Sequence, residues 1–415
     1  MKTLNYIDLF AGAGGLSEGF IRQGFTPVAH VEMNKEACDT IRTRIAYHYL
    51  NETNNLDKYY AYLKNDIDRN ELWKSVPGQL MTSVINDEIN EKTIDDIFKK
   101  IDTQLSNQKV DLIIGGPPCQ AYSLVGRSRD PNRMEGDKRN FLFRHYAEFL
   151  VKYKPKYFVF ENVLGLKSAG NQVYLKEMLA LFGEIGYSTE YDVLNSEAYG
   201  VLQKRRRVII IGRKGKSKFS FPALKTLDNK WQIKNDLFSD LPELKPGQNM
   251  PIAYYTSEIN QYLEKTQIRN CIPFTTQHIT RQHNDRDLEI YSIAIDKWLN
   301  KKERLKYNDL PDRLQSHKNT EAFLDRYKVV DPEGHSHTVV AHISKDGHYY
   351  IYPDKDQVRS ISVREAARIQ SFPDNYFFEG GRTAAFKQIG NAVPPLMAQA
   401  IAKKINELLC QKTQK

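Results

Sequence analysis

The sequence predicts an α/β protein: a doubly wound, mainly parallel sheet carrying a smaller inserted region. Three observations point to it. Short, β-branched apolar runs alternate with helix-periodic segments over the first 213 residues, as expected for a sheet covered on both faces. The first of these runs opens into a glycine-rich turn. From about residue 214 the alternation stops, and it resumes only with a helix-like segment at 363–371. At 415 residues the chain exceeds the length at which single cores stop growing. Two domains are therefore expected, 1–213 completed by 384–415, and 214–383.

Residues 5–10 read as the first strand. They lead into Ala11-Gly12-Ala13-Gly14-Gly15-Leu16 and then helix-like Ser17-Glu18-Gly19-Phe20-Ile21. Strand, glycine turn and helix is the nucleotide-site layout of a doubly wound sheet. The glycines do not match GxGxxG, because the third falls immediately after the second. A dinucleotide cradle is disfavoured, and the turn suits a ligand without a pyrophosphate lying flat against backbone. Val28-Ala29-His30-Val31-Glu32 is the second strand. Glu32 at its end is placed to accept hydrogen bonds from ribose hydroxyls, with a plain surface glutamate as the alternative.

Residues 34–109 are mainly helical in pattern (37–50, 56–63 and 94–105), with Val84-Ile85 as a short strand. Val110-Asp111-Leu112-Ile113-Ile114 is a buried strand. It ends in Gly115-Gly116-Pro117-Pro118-Cys119-Gln120-Ala121-Tyr122-Ser123. Two glycines permit close approach, and two prolines fix φ and remove N–H donors, so a thiol sits at the tip of a stiff turn. At the carboxyl end of a strand it would face the ligand crevice. The competing reading is an incidental buried cysteine.

Residues 126–140 are loop-like and rich in Arg, Asp, Asn and Gly, which suggests a lid beside the thiol. A helix over 141–153 is broken by Lys154-Pro155-Lys156. Tyr157-Phe158-Val159-Phe160 is the next strand, ending in Glu161-Asn162-Val163. A helix over 175–185 precedes a hairpin-like strand pair, 188–193 and 208–211, the second led by Gln203-Lys204-Arg205-Arg206-Arg207. Gly390-Asn391-Ala392-Val393-Pro394-Pro395 and a helix over 396–409 close the chain.

Composition bounds the remainder. Hydrophobic residues make up 40% and aromatics 11%, ample for real cores. Four scattered cysteines without a CxxC pair fit a reducing compartment rather than a disulfide framework, and Cys271 and Cys410 read as structural. No signal peptide or apolar run of about 20 residues is present, so a cytoplasmic protein without a membrane span is expected. No His/Cys cluster has metal-ligand spacing. The net charge of +9 mildly favours a polyanionic partner. Lys204, Arg205, Arg206, Arg207, Arg213, Lys214, Lys216 and Lys218 fall within fifteen acid-free residues, which taken alone read first as a solvated surface run.

Thiol, carboxyl and arginines thus end neighbouring strands. A neutral thiol needs a positive field or a proton acceptor to become a nucleophile, and a carboxyl group can activate a nitrogen ring. With an adenosine-type cofactor, these parts describe methylation of a pyrimidine carbon.

These residues resemble the DNA (cytosine-5)-methyltransferases of bacterial restriction–modification type. Asp8-Leu9-Phe10-Ala11-Gly12-Ala13-Gly14-Gly15-Leu16 is similar to the S-adenosylmethionine turn. Gly116-Pro117-Pro118-Cys119-Gln120 is similar to the nucleophile loop, Glu161-Asn162-Val163 to the ENV element, and Gln203-Lys204-Arg205-Arg206-Arg207 to the QxRxR segment. The stretch from Arg364 to Pro373 and Gly390-Asn391-Ala392-Val393-Pro394-Pro395 resemble the last two blocks. Six blocks in the family's order make the match specific.

The resemblance implies a Rossmann-like S-adenosylmethionine-dependent methyltransferase sheet, with residues 214–383 as an inserted target-recognition domain whose bulk is about 214–356. Cys119 would attack C6 of a flipped cytosine, Glu161 would hold N3 and the exocyclic amine, Arg207 the base oxygen, and Arg205 would sit near Cys119 and the phosphates. Pro118, Gln120, Ser123, Asn162 and Val163 would contact the substrate. Phe10, Ala11, Gly12, Gly14, Gly15, Leu16, Glu32, Met33, Pro118, Leu142, Asn391 and Ala392 would line the cofactor site. The family's acidic-Ile element has two candidates, Asp66-Ile67 and Glu88-Ile89. The latter is preferred, because Val84-Ile85 can be the strand before it. Either choice implies a helical insertion after Glu32.

Expected partners are S-adenosylmethionine (leaving S-adenosylhomocysteine), double-stranded DNA, and a cognate restriction endonuclease acting separately. No metal is expected. The protein would be a monomer at the bacterial nucleoid. The basic run near Arg213 would touch phosphates. Gln277, Arg281, Gln282, His283 and Asn284 suit base reading, with a polar surface loop as the alternative. The segment 338–343 reads as a structural strand. RNA methylation is disfavoured because the Cys-Phe-Thr tripeptide of the tRNA branch is absent. A non-catalytic DNA-binding regulator is disfavoured by the intact Cys119, Glu161, Arg205 and Arg207.

Overall fold

The computed structural model describes residues 3–118, 142–168, 172–227, 230–270, 272–316 and 324–411. Cys119, Gln120, Ser123, the loop 126–140 and Cys271 lie outside the described residues.

A seven-stranded sheet forms the frame. It contains β1 (Leu4–Leu9), β2 (Phe25–Glu32), β3 (Val84–Asn86), β4 (Leu112–Gly115), β5 (Tyr157–Val163), β6 (Tyr187–Asn195) and β8 (Arg206–Lys214), in the order β3-β2-β1-β4-β5-β8-β6. The first five pair in parallel, and β8 runs antiparallel to both β5 and β6. From β1 the chain winds outward through β2 and β3, then returns to place β4 on the other side of β1. That reversal opens a crevice at the carboxyl ends of β1 and β4. β1 is buried along its whole length, as a strand covered on both faces should be.

α6 (Ile94–Leu105), α7 (Leu142–Tyr153) and α8 (Val173–Glu184) cover one face. Ile97, Phe149 and Phe182 pack there against Ile113 and Phe158. The isoleucines at 94, 97 and 101 explain α6, since this spacing puts them on one side of a helix. The other face is covered by α1 (Gly15–Ile21) and the last helix, α13 (Pro395–Cys410), through Phe20, Met397 and Ile401. These helices approach closely at Gly19, where a Cβ would lie 2.5 Å from the carbonyl carbon of Ala398.

The insertion after Glu32 folds as α2 (Lys35–Glu52), α3 (Leu56–Leu63), α4 (Arg69–Lys74) and α5 (Gly78–Thr82). Its Leu50, Tyr59 and Leu72 form a satellite core with Ile272 and Phe274. Phe274 starts β10 (Phe274–Ile279), which pairs antiparallel with β9 (Asn249–Tyr254). A buried ion pair completes the brace. Glu18 of α1 receives Arg44 Nη2 at 2.6 Å, and Arg44 Nη1 donates to Asn375 Oδ1 at 2.9 Å.

The later part of the chain adds α9 (Gln261–Thr266), α10 (Asp285–Lys301), α11 (Val363–Ile369) and α12 (Arg382–Asn391). A capping box at Ser362 and Glu365 starts α11. Arg368, fully buried, bridges Asp240 and Asp374 at 2.5 and 2.6 Å.

One segment differs from its expected form. Residues 338–343 do not form a strand. Only Ser336–His337 (β11) pairs, with Gln203–Lys204 (β7), and Ala341–Ser344 is a 3-10 turn. Side chains replace the ladder in satisfying this backbone: Gln203 Oε1 accepts from Val339 N, and Tyr350 Oη accepts from Val340 N. The residues between 277 and 284 that suit base reading are internally engaged. Gln277 exchanges two hydrogen bonds with Phe378, His283 bonds Ser360, Asn284 caps α10, and Arg281 donates to Ser344 O.

Candidate active site

The crevice is built from the ends of β1, β2, β4 and β5 and the beginning of β8. At the end of β1 the chain makes a left-handed turn, with φ of +57° at Phe10, +56° at Gly12 and +76° at Gly14. Glycine relieves the strain at two of these positions; Phe10 bears it, as residues at functional turns often do. The third glycine answers a different need. A Cβ on Gly15 would lie 2.5 Å from Val393 O and 3.1 Å from Ala392 Cβ, which places Ala392 against the turn. Ala11 and Leu16 are buried in the packing beneath it.

Glu32 closes the turn from the side. Its carboxylate accepts from the backbone N–H groups of Gly12 and Asn34, each at 2.8 Å. Burial raises its pKa, against the lowering effect of those bonds. Met33 is exposed beside it. The position of β3 favours Glu88-Ile89 over Asp66-Ile67 as the element flanking this turn. Asp87 N and the Asn86 side chain bond Glu32 O, putting Glu88 just beyond the same strand ends, with Glu88 exposed and Ile89 buried. Ile67 instead packs on the satellite core.

Asp8, which opens the turn motif, is a functional candidate that the motif alone does not single out. It lies one step before the end of β1 and is 1% exposed, and neither carboxylate oxygen has a hydrogen-bond partner among the described residues. Burial, with the neighbouring Glu32 charge, holds its pKa well above the ordinary range. An orphaned buried carboxyl beneath a backbone-lined turn fits a ligand that brings its own donors or positive charge. The available sequence signal is an acid flanked by Ile7 and Leu9 inside a buried strand.

On the other side of the crevice, Gly115 has φ +155° and crowds Leu9 O, where a Cβ would lie at 2.2 Å. A Cβ on Gly116 would lie 2.5 Å from Glu161 Oε2. Gly116 therefore admits the Glu161 carboxylate against the backbone that leads to Cys119. Glu161 Oε1 receives Arg207 Nε at 2.7 Å, and both side chains are nearly buried. Strand register explains the meeting: β8 runs antiparallel to β5, so Val163 lies opposite Arg207. Asn162 donates to Pro117 O at 3.3 Å and ties the two turns together. Pro118 is exposed and Leu142, at the start of α7, is half-buried.

Arg205, expected near Cys119, anchors a different segment among the described residues. It is fully buried, and its guanidinium donates to Val339 O at 2.7 Å and Gly390 O at 3.2 Å. It holds the 390–392 segment at the crevice. Asn391, next to that anchor, is exposed. The basic run is also split. Arg207 is at the crevice, whereas Arg213 lies opposite Tyr157, at the other edge of the sheet. No group of His, Cys, Asp and Glu that could hold a metal occurs among the described residues. No described helix is long and apolar enough to cross a membrane.

The model of the C-5 cytosine-specific DNA methylase family matches this chain over residues 4–83 and 70–407. The chain belongs to that family. It is 42% identical to the Type II methyltransferase M.Bpa9945I of Bacillus paralicheniformis, over 97% of this chain and 98% of that one. It is 30% identical to the Type II methyltransferase M.DdeI of Desulfomicrobium norvegicum, covering 97% and 88% respectively. Among solved structures it is similar to a candidate DNA modification methyltransferase encoded within an E. coli prophage. That match has TM-score 0.62 and 22% identity, and covers 98% of this chain and 99% of the other. It supports the fold, a methyltransferase sheet. This C-5 cytosine DNA methylase is thus an enzyme related to Type II methyltransferases, and it acts on DNA.

Proposed function

We propose that the enzyme methylates C5 of a flipped-out cytosine in one short duplex sequence, through a covalent adduct between Cys119 Sγ and C6. The observation that carries this reading is the Glu161–Arg207 pair set against Gly116, three residues before Cys119. Cys119 is the nucleophile, and its thiolate forms the bond to C6. Glu161 faces N3 and the exocyclic amine and supplies the hydrogen bond or proton that neutralises charge building in the ring. Arg207 keeps Glu161 in place and offers its remaining N–H donors to the base oxygen. Pro118, Gln120, Ser123, Asn162 and Val163 complete the pocket. Once C5 is alkylated its proton leaves to a base, and the electron pair of the C5–H bond expels the thiolate from C6, restoring the ring.

When bound, S-adenosylmethionine supplies the electrophilic methyl group and leaves as S-adenosylhomocysteine. The left-handed turn from Phe10 to Leu16, Glu32 and Met33, Glu88-Ile89, Pro118, Leu142, Asn391 and Ala392 would hold it. The backbone-lined turn, the Glu32 carboxylate and the orphaned Asp8 carboxyl support that fit. The chemistry needs no metal.

Residues 1–213 with 384–415 act as the catalytic domain, and 214–383 reads the target. The enzyme works as a monomer in the bacterial cytoplasm, held at the nucleoid by DNA, and a separate endonuclease cleaves unmodified sites. The names of its relatives support the restriction–modification role.

The test is bisulfite sequencing of a plasmid library incubated with the protein and S-adenosylmethionine. Protection of cytosines in one recurring context is expected. Cys119→Ala should abolish protection while leaving DNA binding within a few-fold. Protection by that variant would overturn the covalent mechanism.

A further inference from the structure

The half of the basic run that lies away from the crevice meets two other segments. Tyr157 and Val163 are six residues apart on β5, so the two edges of the sheet are separated by about 20 Å at about 3.3 Å per residue. At the amino edge a series of hydrogen bonds joins four pieces of chain. Asn5 Nδ2 donates to Lys109 O, Lys156 N to Asp111 O, and Lys214 N to Lys156 O. Arg213 spends its charge locally: it bonds Ser217 and the Lys218 carbonyl and lies 5.1 Å from the Phe219 ring centroid, folding the loop that follows β8. The exposed side chains left on this edge are Lys109, Lys154, Lys156, Lys214, Lys216 and Lys218.

These lysines carry no ion pair among the described residues, although the exposed Glu184 lies three residues before Tyr187, the partner of Lys214 in the sheet. The sequence has no acid from 198 to 227 or from 149 to 160. By contrast, Lys99, Lys100 and Lys152 on nearby helices are each paired. A solvated lysine face usually carries interspersed acids. Here lysines from three separate segments gather on one edge, Asp111 is buried beneath them, and Arg213 shapes the loop that presents half of them. Ammonium groups without ion-pair partners attract a regularly spaced polyanion by releasing its counterions.

We infer that the amino edge of the sheet is a second contact surface for duplex DNA, opposite the catalytic crevice and independent of base chemistry. It takes the phosphate backbone without reading sequence, and a duplex in the crevice leaves it free. Its effect is to hold a second DNA segment near the enzyme, favouring transfer between distant segments of a long molecule. The inference uses only the family's action on DNA, and does not depend on the covalent mechanism.

Two-duplex capture tests it. Full-length protein is loaded on a bead-bound short duplex that carries the unmodified target site, and a dye-labelled duplex of A·T pairs is added at increasing salt. Wild type should retain the labelled duplex. A Lys156→Gln/Lys214→Gln/Lys216→Gln variant should retain much less, with a salt slope shallower by about 2 to 3, at roughly 0.9 for each phosphate no longer neutralised. Methylation of the short duplex should be unchanged. Failure of the wild type to retain a second duplex would overturn the inference. So would equal retention by the variant, the result expected if bridging came from two crevices in a dimer. Loss of short-duplex methylation along with capture would also overturn it, by assigning these lysines to the fold or the crevice.

Discussion

Gly116→Ala probes the central geometry with a single methyl group. The added Cβ would lie 2.5 Å from Glu161 Oε2 and 3.0 Å from the Glu161 carbonyl oxygen, roughly 1 Å short of ordinary contact. The carbonyl belongs to β5 and is held in the sheet, so the carboxylate is the part that moves. It cannot move alone, because Arg207 Nε is bonded to it at 2.7 Å. Gly116 does not have a positive φ, so alanine adopts its backbone conformation and the perturbation is one of space. Displacing a catalytic group by about 1 Å costs on the order of 100-fold in rate, while overpacking costs roughly 1–3 kcal/mol of stability. The assay is initial-rate transfer of tritiated methyl groups to DNA at saturating S-adenosylmethionine, with the melting temperature measured on the same sample. A folded variant turning over within about threefold of wild type would refute the placement of Glu161 against this loop. Gly12→Ala is the contrasting control. It meets open space, and its expected cost is the roughly 1–2 kcal/mol of a left-handed alanine.

Three other outcomes follow from particular contacts. Burial alone would raise the Glu18 carboxyl, but Arg44 and His48 hold it well below its usual range. Arg44→Met leaves that carboxylate buried without its main partner and should cost about 3–5 kcal/mol, read by denaturant unfolding; a loss under about 1 kcal/mol would show the brace to be dispensable. Asp8 has a raised folded-state pKa, so above its unfolded value of about 3.9 the folded state binds the extra proton, and stability falls as pH rises. Asp8→Asn should remove that dependence, so its melting temperature relative to wild type should climb between about pH 4 and pH 7, and a flat or falling difference would mean Asp8 is solvated. Exchanging residues 214–356 for the same segment of a relative should transfer the methylated sequence context, and retention of the original context would locate target reading elsewhere.

The α/β alternation and the chemistry-bearing turns were legible because each is local. Burial on both faces demands continuous apolar strands, and a turn that must adopt φ above zero or admit a neighbouring side chain demands glycine. Hence β1, β2, β4, β5 and α6 lie close to where periodicity placed them, and Val84-Ile85 is a strand despite its length. The segment 338–343 misled because its β-branched apolar residues have strand propensity, while Gln203, Arg205 and Tyr350 satisfy its backbone from elsewhere in the chain. The polar residues between 277 and 284 could not be assigned from sequence, because a side chain that suits a base edge suits a distant carbonyl equally.

By itself, the sequence determined the family, the reaction class and the order of the functional segments, since six short motifs each have a local physical reason to exist. Only the tertiary structure decided what those segments touch. It paired Glu161 with Arg207 through the antiparallel register of β5 and β8, buried Arg205 as an anchor for Gly390, and divided one basic run between opposite edges of the sheet. It also gave the helical insertion a task, bracing α1 against residues near Asn375 through Arg44. The physical reason is common to all four. Strand direction and long-range burial set which faces meet, and neither is encoded in the spacing of neighbouring residues.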